Sequence, residues 1–190
     1  MTKSILLVGV GGQGTITASK LLTIGLMEAG YDIKMSEIHG MSQRGGSVSS
    51  QVRYGDKVFS PVIEVGGADI IVSFEKMEAL RWLDHLKIGG KVLVAETEIN
   101  PMPVLNGKAE YAKDVLEFTK KLADVTSFDA MNMAKDLGNE KCMNVILLGA
   151  LVKSMGLEEI NWESIIESNV KEKFVELNKK ALKFGMDLVK

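Results

Sequence analysis

The chain has 190 residues, 46% hydrophobic and 25% charged, and its 23 basic and 25 acidic side chains leave a formal charge of −2. That length supports one sizeable core and is short for two, so one domain over residues 1–190 is expected, with the composition of an ordinary globular protein. The charge balance gives no general field for nucleic acid or an anionic membrane, and no apolar run approaches the roughly 20 residues of a membrane span, so neither partner is expected.

The only cysteine, Cys142, can close no disulfide within the chain. A reducing, cytoplasmic setting is the simplest expectation, and a cluster with several cysteine ligands cannot be built from this chain alone. The N-terminal "MTKSILLVGVGG" meets glycines too soon for a secretory leader.

In chain order, residues 4–8 form a short β-favouring run that ends in "GVGGQG". Residues 15–29 then place Ala18, Leu22, Leu26 and Ala29 on one helical stripe. Gly30 fits the helix end, and "YDIKMSEI" reads as a second strand, so a βαβ unit with a parallel pair is expected. Val48, Ser50 and Val52 alternate with Ser49, Gln51 and Arg53, and "YGDK" precedes "VFSPV", which predicts a hairpin with its turn at Gly55-Asp56 and Pro61 ending the second strand. "ADIIVSF" is suited to a buried central strand, residues 75–85 to a helix and "KVLVA" to another strand. "TEINPMPVLNGK" has no period and reads as a loop. Beyond it, helices are expected over 112–121, 130–137 and 141–155, and from 162 to the C-terminus with a break near Asn169; "DVTSF" allows one more strand. The predicted class is α/β: a mixed, largely parallel sheet with a Rossmann-like N-terminal unit, a β-hairpin insertion and a helical second half.

Gly9, Gly11 and Gly14 match GxGxxG between a strand and a helix, where backbone amides and the positive helix end favour an anion. Glu37 follows Gly14 by 23 residues, the place of a ribose-binding acid. A stand-alone nicotinamide- or flavin-binding oxidoreductase is one reading. The other is that the glycines only permit close packing of strand and helix. Gly12, Gln13 and Thr15 add further polar and flexible positions. In "EIHGMSQRGGSV", Glu37, His39, Ser42, Gln43, Arg44 and Ser47 can converge on the same strand ends. Arg44 offers a planar fork to phosphate or carboxylate, and Gly45 and Gly46 let amides point the same way. A solvated surface loop is the alternative. No triad or metal site is readable around His39, which favours a positioning role over catalysis. Cys142 reads as a buried inert thiol, His85 as a structural residue, the methionines as core or interface, and the C-terminal lysines as a solvated helix face.

These segments also carry a resemblance. "GVGGQG", "SEIHGMSQRGGSV", "SPVI", "GGADIIVSFEKMEALR", "LGN" and "NVILLGAL" occur in this order over nearly the whole chain. Together they resemble the gamma-type subunits of the 2-oxoacid:ferredoxin oxidoreductases, and "HGMSQRGG" is similar to the indolepyruvate branch. The resemblance implies oxidative decarboxylation of arylpyruvates with coenzyme A, giving an acyl-CoA and reduced ferredoxin. It places thiamine diphosphate and iron-sulfur clusters on a larger alpha subunit, since this chain has neither a GDG segment nor cysteine-rich spacing. This chain would be non-catalytic, with residues 9–15 and 37–47 facing the alpha subunit or coenzyme A; a homodimer of the isolated chain is left open.

Overall fold

The computed structural model describes residues 2–40 and 45–189. Six strands form one sheet in the order β2-β3-β1-β4-β5-β6: β1 (Lys3–Val10), β2 (Asp32–His39), β3 (Ser47–Gly55), β4 (Ala68–Ser73), β5 (Leu86–Ala95) and β6 (Asp124–Phe128). The helices are α1 (Thr15–Glu28), α2 (Lys76–Arg81), α3 (Met102–Leu105), α4 (Val115–Leu122), α5 (Ala130–Asp136), α6 (Met143–Met155), α7 (Trp162–Asn169) and α8 (Val175–Asp187).

The central strands are apolar on both faces because both faces are covered. Ile5, Leu7, Ile70, Val72 and Leu93 turn toward α1 and the C-terminal helices. The alternating Leu6, Val8, Ile71, Val92 and Val94 pack with Ala79 of α2, Leu116 of α4 and Ile63. This period of two is the geometry of the strand itself. α6 is buried along most of its length. It meets α8 without side chains between them: a Cβ on Gly149 would lie 2.1 Å from the Leu182 carbonyl oxygen, and one on Gly185 2.0 Å from that of Ile146.

Two expectations about pairing need correction. β1 and β2 run the same way but are not neighbours, because β3 lies between them and is antiparallel to both. The antiparallel hairpin is therefore β2 with β3, and residues 58–62 form no strand. The alternation at Val48, Val52 and Tyr54 is satisfied by β1 and β2 on either side, whereas the 56–67 segment crosses the opposite face. It is tied down by side chains: Val58 N–H donates to Asp32 Oδ2 (2.7 Å) and Ile63 N–H to Gln51 Oε1 (2.6 Å). β4, β5 and β6 continue from β1 in parallel. The break near Asn169, the short strand at "DVTSF" and the expected helices lie within a few residues of their observed positions. The proline-containing loop holds one short helix, α3.

Candidate functional site

All the loops that carry chemistry leave the carboxyl ends of β1, β2, β4 and β5, the edge at which open α/β sheets bind ligands. Reversal of β3 brings its first residue, Ser47, to the same edge.

The glycine loop after β1 is held from inside by Gln13. Its Oε1 accepts from Val10 N–H (2.8 Å), and its Nε2 donates to the Phe74 carbonyl at the end of β4 (2.6 Å). The amide therefore staples two neighbouring strand ends. Gly9 must be glycine here, since a Cβ would sit 2.9 Å from both Gln13 Oε1 and Phe74 Cβ. Gly14 has φ 85° and lies under Asn144 of α6, whose Nδ2 donates to the Gly14 carbonyl (3.3 Å). No side chain caps α1 at Gly14, so none takes up the first amides at the positive helix end.

Among the described residues, the polar loop is bonded to the glycine loop through the backbone. Gly11 N–H donates to the Gly46 carbonyl (2.9 Å), and Gly45 N–H to the Gly11 carbonyl (3.3 Å). Convergence of the two loops, expected from strand order, is thus met at Gly45 and Gly46. Ser42, Gln43 and Arg44 lie outside the described residues. A cleft of about 410 Å³ opens on the α1 side of this pair, lined by Gly11, Gly12, Gly14, Thr15, Ile16, His39 and Val48. His39 Nδ1 lies 3.4 Å from the Gly40 carbonyl oxygen.

A second cleft of about 300 Å³ lies on the α2 side, with Gly45, Ser47, Glu75, Glu78, Arg81 and Tyr111 among its walls. Ser47 Oγ donates to Glu78 Oε2 (2.5 Å), and Arg81 Nε donates to Oε1 of the same carboxylate (3.0 Å). Glu75 is 1% exposed. It caps α2 by accepting from Glu78 N–H (2.9 Å) and also accepts from the Tyr111 hydroxyl. Burial pushes the Tyr111 phenol above its ordinary value, and the adjoining Glu75 carboxylate adds to the shift. Asn144, Glu75, Glu78 and Tyr111 were not singled out from the sequence. The signal present was the Glu75-x-x-Glu78 spacing directly after a buried strand, a helix-start pattern.

Glu37 does not occupy a ribose-binding position. β3 separates β2 from β1, and the Glu37 carboxylate accepts from Ser19 Oγ on α1 (3.1 Å). With Gln13 filling the space beneath the glycine loop, the dinucleotide reading is not favoured. Among the described residues no group of three or more His, Cys, Asp or Glu could hold a metal ion. Cys142 is buried, and burial pushes its thiol up.

A family model described as pyruvate ferredoxin/flavodoxin oxidoreductase matches residues 4–188. The chain belongs to that family. Within it, the indolepyruvate oxidoreductase subunit IorB of Pyrococcus horikoshii is 40% identical over 195 residues, 98% of this chain and 96% of that one. The gamma subunit of a keto/oxoacid ferredoxin oxidoreductase from Geobacter sulfurreducens superposes with a TM-score of 0.71 at 28% identity, covering 98% and 97% of the two chains. The fold recurs, at 18% identity and a TM-score of 0.73, as 31% of the longer chain of a 2-oxoglutarate:ferredoxin oxidoreductase from Magnetococcus marinus. Among the described residues of this family member no helix is long and apolar enough to cross a membrane.

Proposed function

We propose that this chain is the small, non-catalytic subunit of an indolepyruvate-type ferredoxin oxidoreductase, acting as one gamma-type domain over its whole length in the cytoplasm. The reaction is the CoA-dependent oxidative decarboxylation of arylpyruvates to aryl-acyl-CoA with reduction of ferredoxin, a route of anaerobic amino-acid catabolism. The observation that carries the reading is the bonded pair of loops at Gly11, Gly45 and Gly46: a polar recognition edge in a chain without redox equipment of its own. Near-full-length identity to a subunit of an indolepyruvate oxidoreductase supports the substrate class.

Thiamine diphosphate and the iron-sulfur clusters, which supply the decarboxylation chemistry and carry the electrons away, belong on a larger alpha subunit. The residues here do not fit them, since one buried cysteine cannot ligate a cluster. What this chain contributes is a surface. Gly9, Gly11, Gly12, Gln13, Gly14 and Thr15 shape the glycine loop; Glu37, His39, Gly45, Gly46 and Ser47 are assigned to the polar side of the surface, and Ser42 and Arg44 join them on sequence grounds. The amides at the start of α1 and the His39 ring suit a phosphate of coenzyme A, because the helix end is positive and its amides are donors.

Reconstitution with the alpha subunit tests this. The complex should turn over indolepyruvate faster than pyruvate, and Arg44→Ala should raise the apparent KM for coenzyme A. A change in subunit association alone would make Arg44 an interface residue. Tight NADH binding with turnover by the isolated chain would sink the subunit reading.

A further inference from the structure

The two edges of the sheet differ. β6 is a short edge of five residues with Asp124, Thr126 and Ser127 along it, the usual way of blunting an edge against another strand. β2 is an edge of eight residues, and its one lysine is turned away: Lys34 Nζ bonds back to Asp32 Oδ1 (3.0 Å) and to the Ile33 carbonyl (3.3 Å). The lysine therefore guards the first half of the strand, whereas in the half from Met35 to His39 the Glu37 carboxylate is turned onto Ser19 of α1.

Beside the polar Ser36, Glu37 and His39, that half carries one exposed apolar side chain on each face of the sheet. Met35 projects toward α1 and Ile38 to the opposite face, 38% and 53% exposed. On α1, Ile16 and Met27 extend the same surface at 51% and 63% exposure, and Thr23 between them reaches Met35 (Oγ1 to Sδ, 3.3 Å). Solvent-exposed apolar side chains on both faces beside an unpaired backbone row are what an added strand buries. The patch also runs into the proposed coenzyme A cleft, since Ile16 and His39 line both.

We propose that the second half of β2, with the Ile16–Met27 stripe of α1, is the docking edge for the larger subunit, which adds an extended segment alongside β2. This rests on the subunit reading above. Three observations favour the larger subunit as occupant. A relative matched over 98% of this chain is itself a subunit, the fold occurs elsewhere as part of one longer chain, and a chain seated on β2 would wall the open side of the cleft at His39.

The test uses the reconstituted complex and the full-length chain. Hydrogen exchange of the wild-type chain should show residues 35–39 newly protected on assembly. Met35→Lys and Ile38→Lys should each weaken association about tenfold or more, since a charge at an edge position blocks strand addition, with no change in the Tm of the free chain. Val62→Lys, on the exposed segment over the other face, should assemble normally. Unprotected 35–39 amides overturn the proposal, as does normal assembly of the Met35 and Ile38 variants. So does a self-dimer of the isolated chain that these variants split while assembly is unaffected; that would make a second copy the occupant. Failure of the wild-type chain to assemble at all would instead count against the subunit reading, so the two failures are distinguishable.

Discussion

Single side chains decide how the recognition edge is held. Gln13→Ala removes an acceptor from Val10 N–H and a donor from the Phe74 carbonyl, and should cost about 1–3 kcal/mol of stability in a urea titration. Gln13→Glu should cost more at pH 7, because a carboxylate still accepts from Val10 but faces the Phe74 oxygen with lone pairs. Cys142 gives a complementary expectation. Its buried thiol, pushed up in pKa, should resist iodoacetamide at pH 8 in the native protein and react readily in denaturant. Much at this scale was legible beforehand: Gly9, Gly14 and Gly45 are where a close approach or a positive φ demands glycine. Gln13 was legible as polar and nothing more. Its role needs Phe74, which is 61 residues away in sequence, so no local pattern could reveal the staple.

Between elements, the closest approach is α6 against α8. Gly149→Ala or Gly185→Ala drives a methyl into a carbonyl of the facing helix and should destabilise by about 1–3 kcal/mol or more, read as a lower urea midpoint. The link between β2 and the 56–67 segment is pH-dependent. The Val58 N–H and then Lys34 hold the Asp32 carboxyl below its usual value. A depressed folded-state pKa stabilises above the unfolded value of about 3.9, and that stabilisation is lost as pH falls through the lower folded value. Asp32→Asn should therefore flatten the acid limb of the stability profile below about pH 4 while leaving the profile near neutrality shallow. Helix positions were readable from apolar period and caps. The placement of β3 was not, because its alternation suits any antiparallel neighbour, and the choice between residues 58–62 and β1 with β2 depends on which side chains can tie down the intervening segment.

For the whole molecule, the strand order decides which loops meet. Inserting a reversed β3 between β1 and β2 moves Glu37 away from the glycine loop and onto Ser19, and brings Ser47 and the two glycines before it into that vacated side. A glycine loop of dinucleotide type thereby becomes half of a surface shared with a second loop. The expected consequence is that titrating the isolated chain with NADH gives no saturable fluorescence change. The complex lacking this chain should retain its thiamine and cluster signals but turn over arylpyruvate poorly.

The chain's composition, its apolar periods and its glycine and polar motifs were enough, by themselves, to determine an α/β class and membership of the family, and to mark residues 9–15 and 37–47 as the candidate ligand edge. Those properties follow from local period and backbone freedom. Only the tertiary structure decided which strands are neighbours, that Gln13 closes the loop from beneath, that Glu78 is bonded to Ser47 with Glu75 beside it, and that β2 is an edge of the sheet among the described residues. Each of these is a contact between residues far apart in sequence, selected by how the two faces of the sheet are covered.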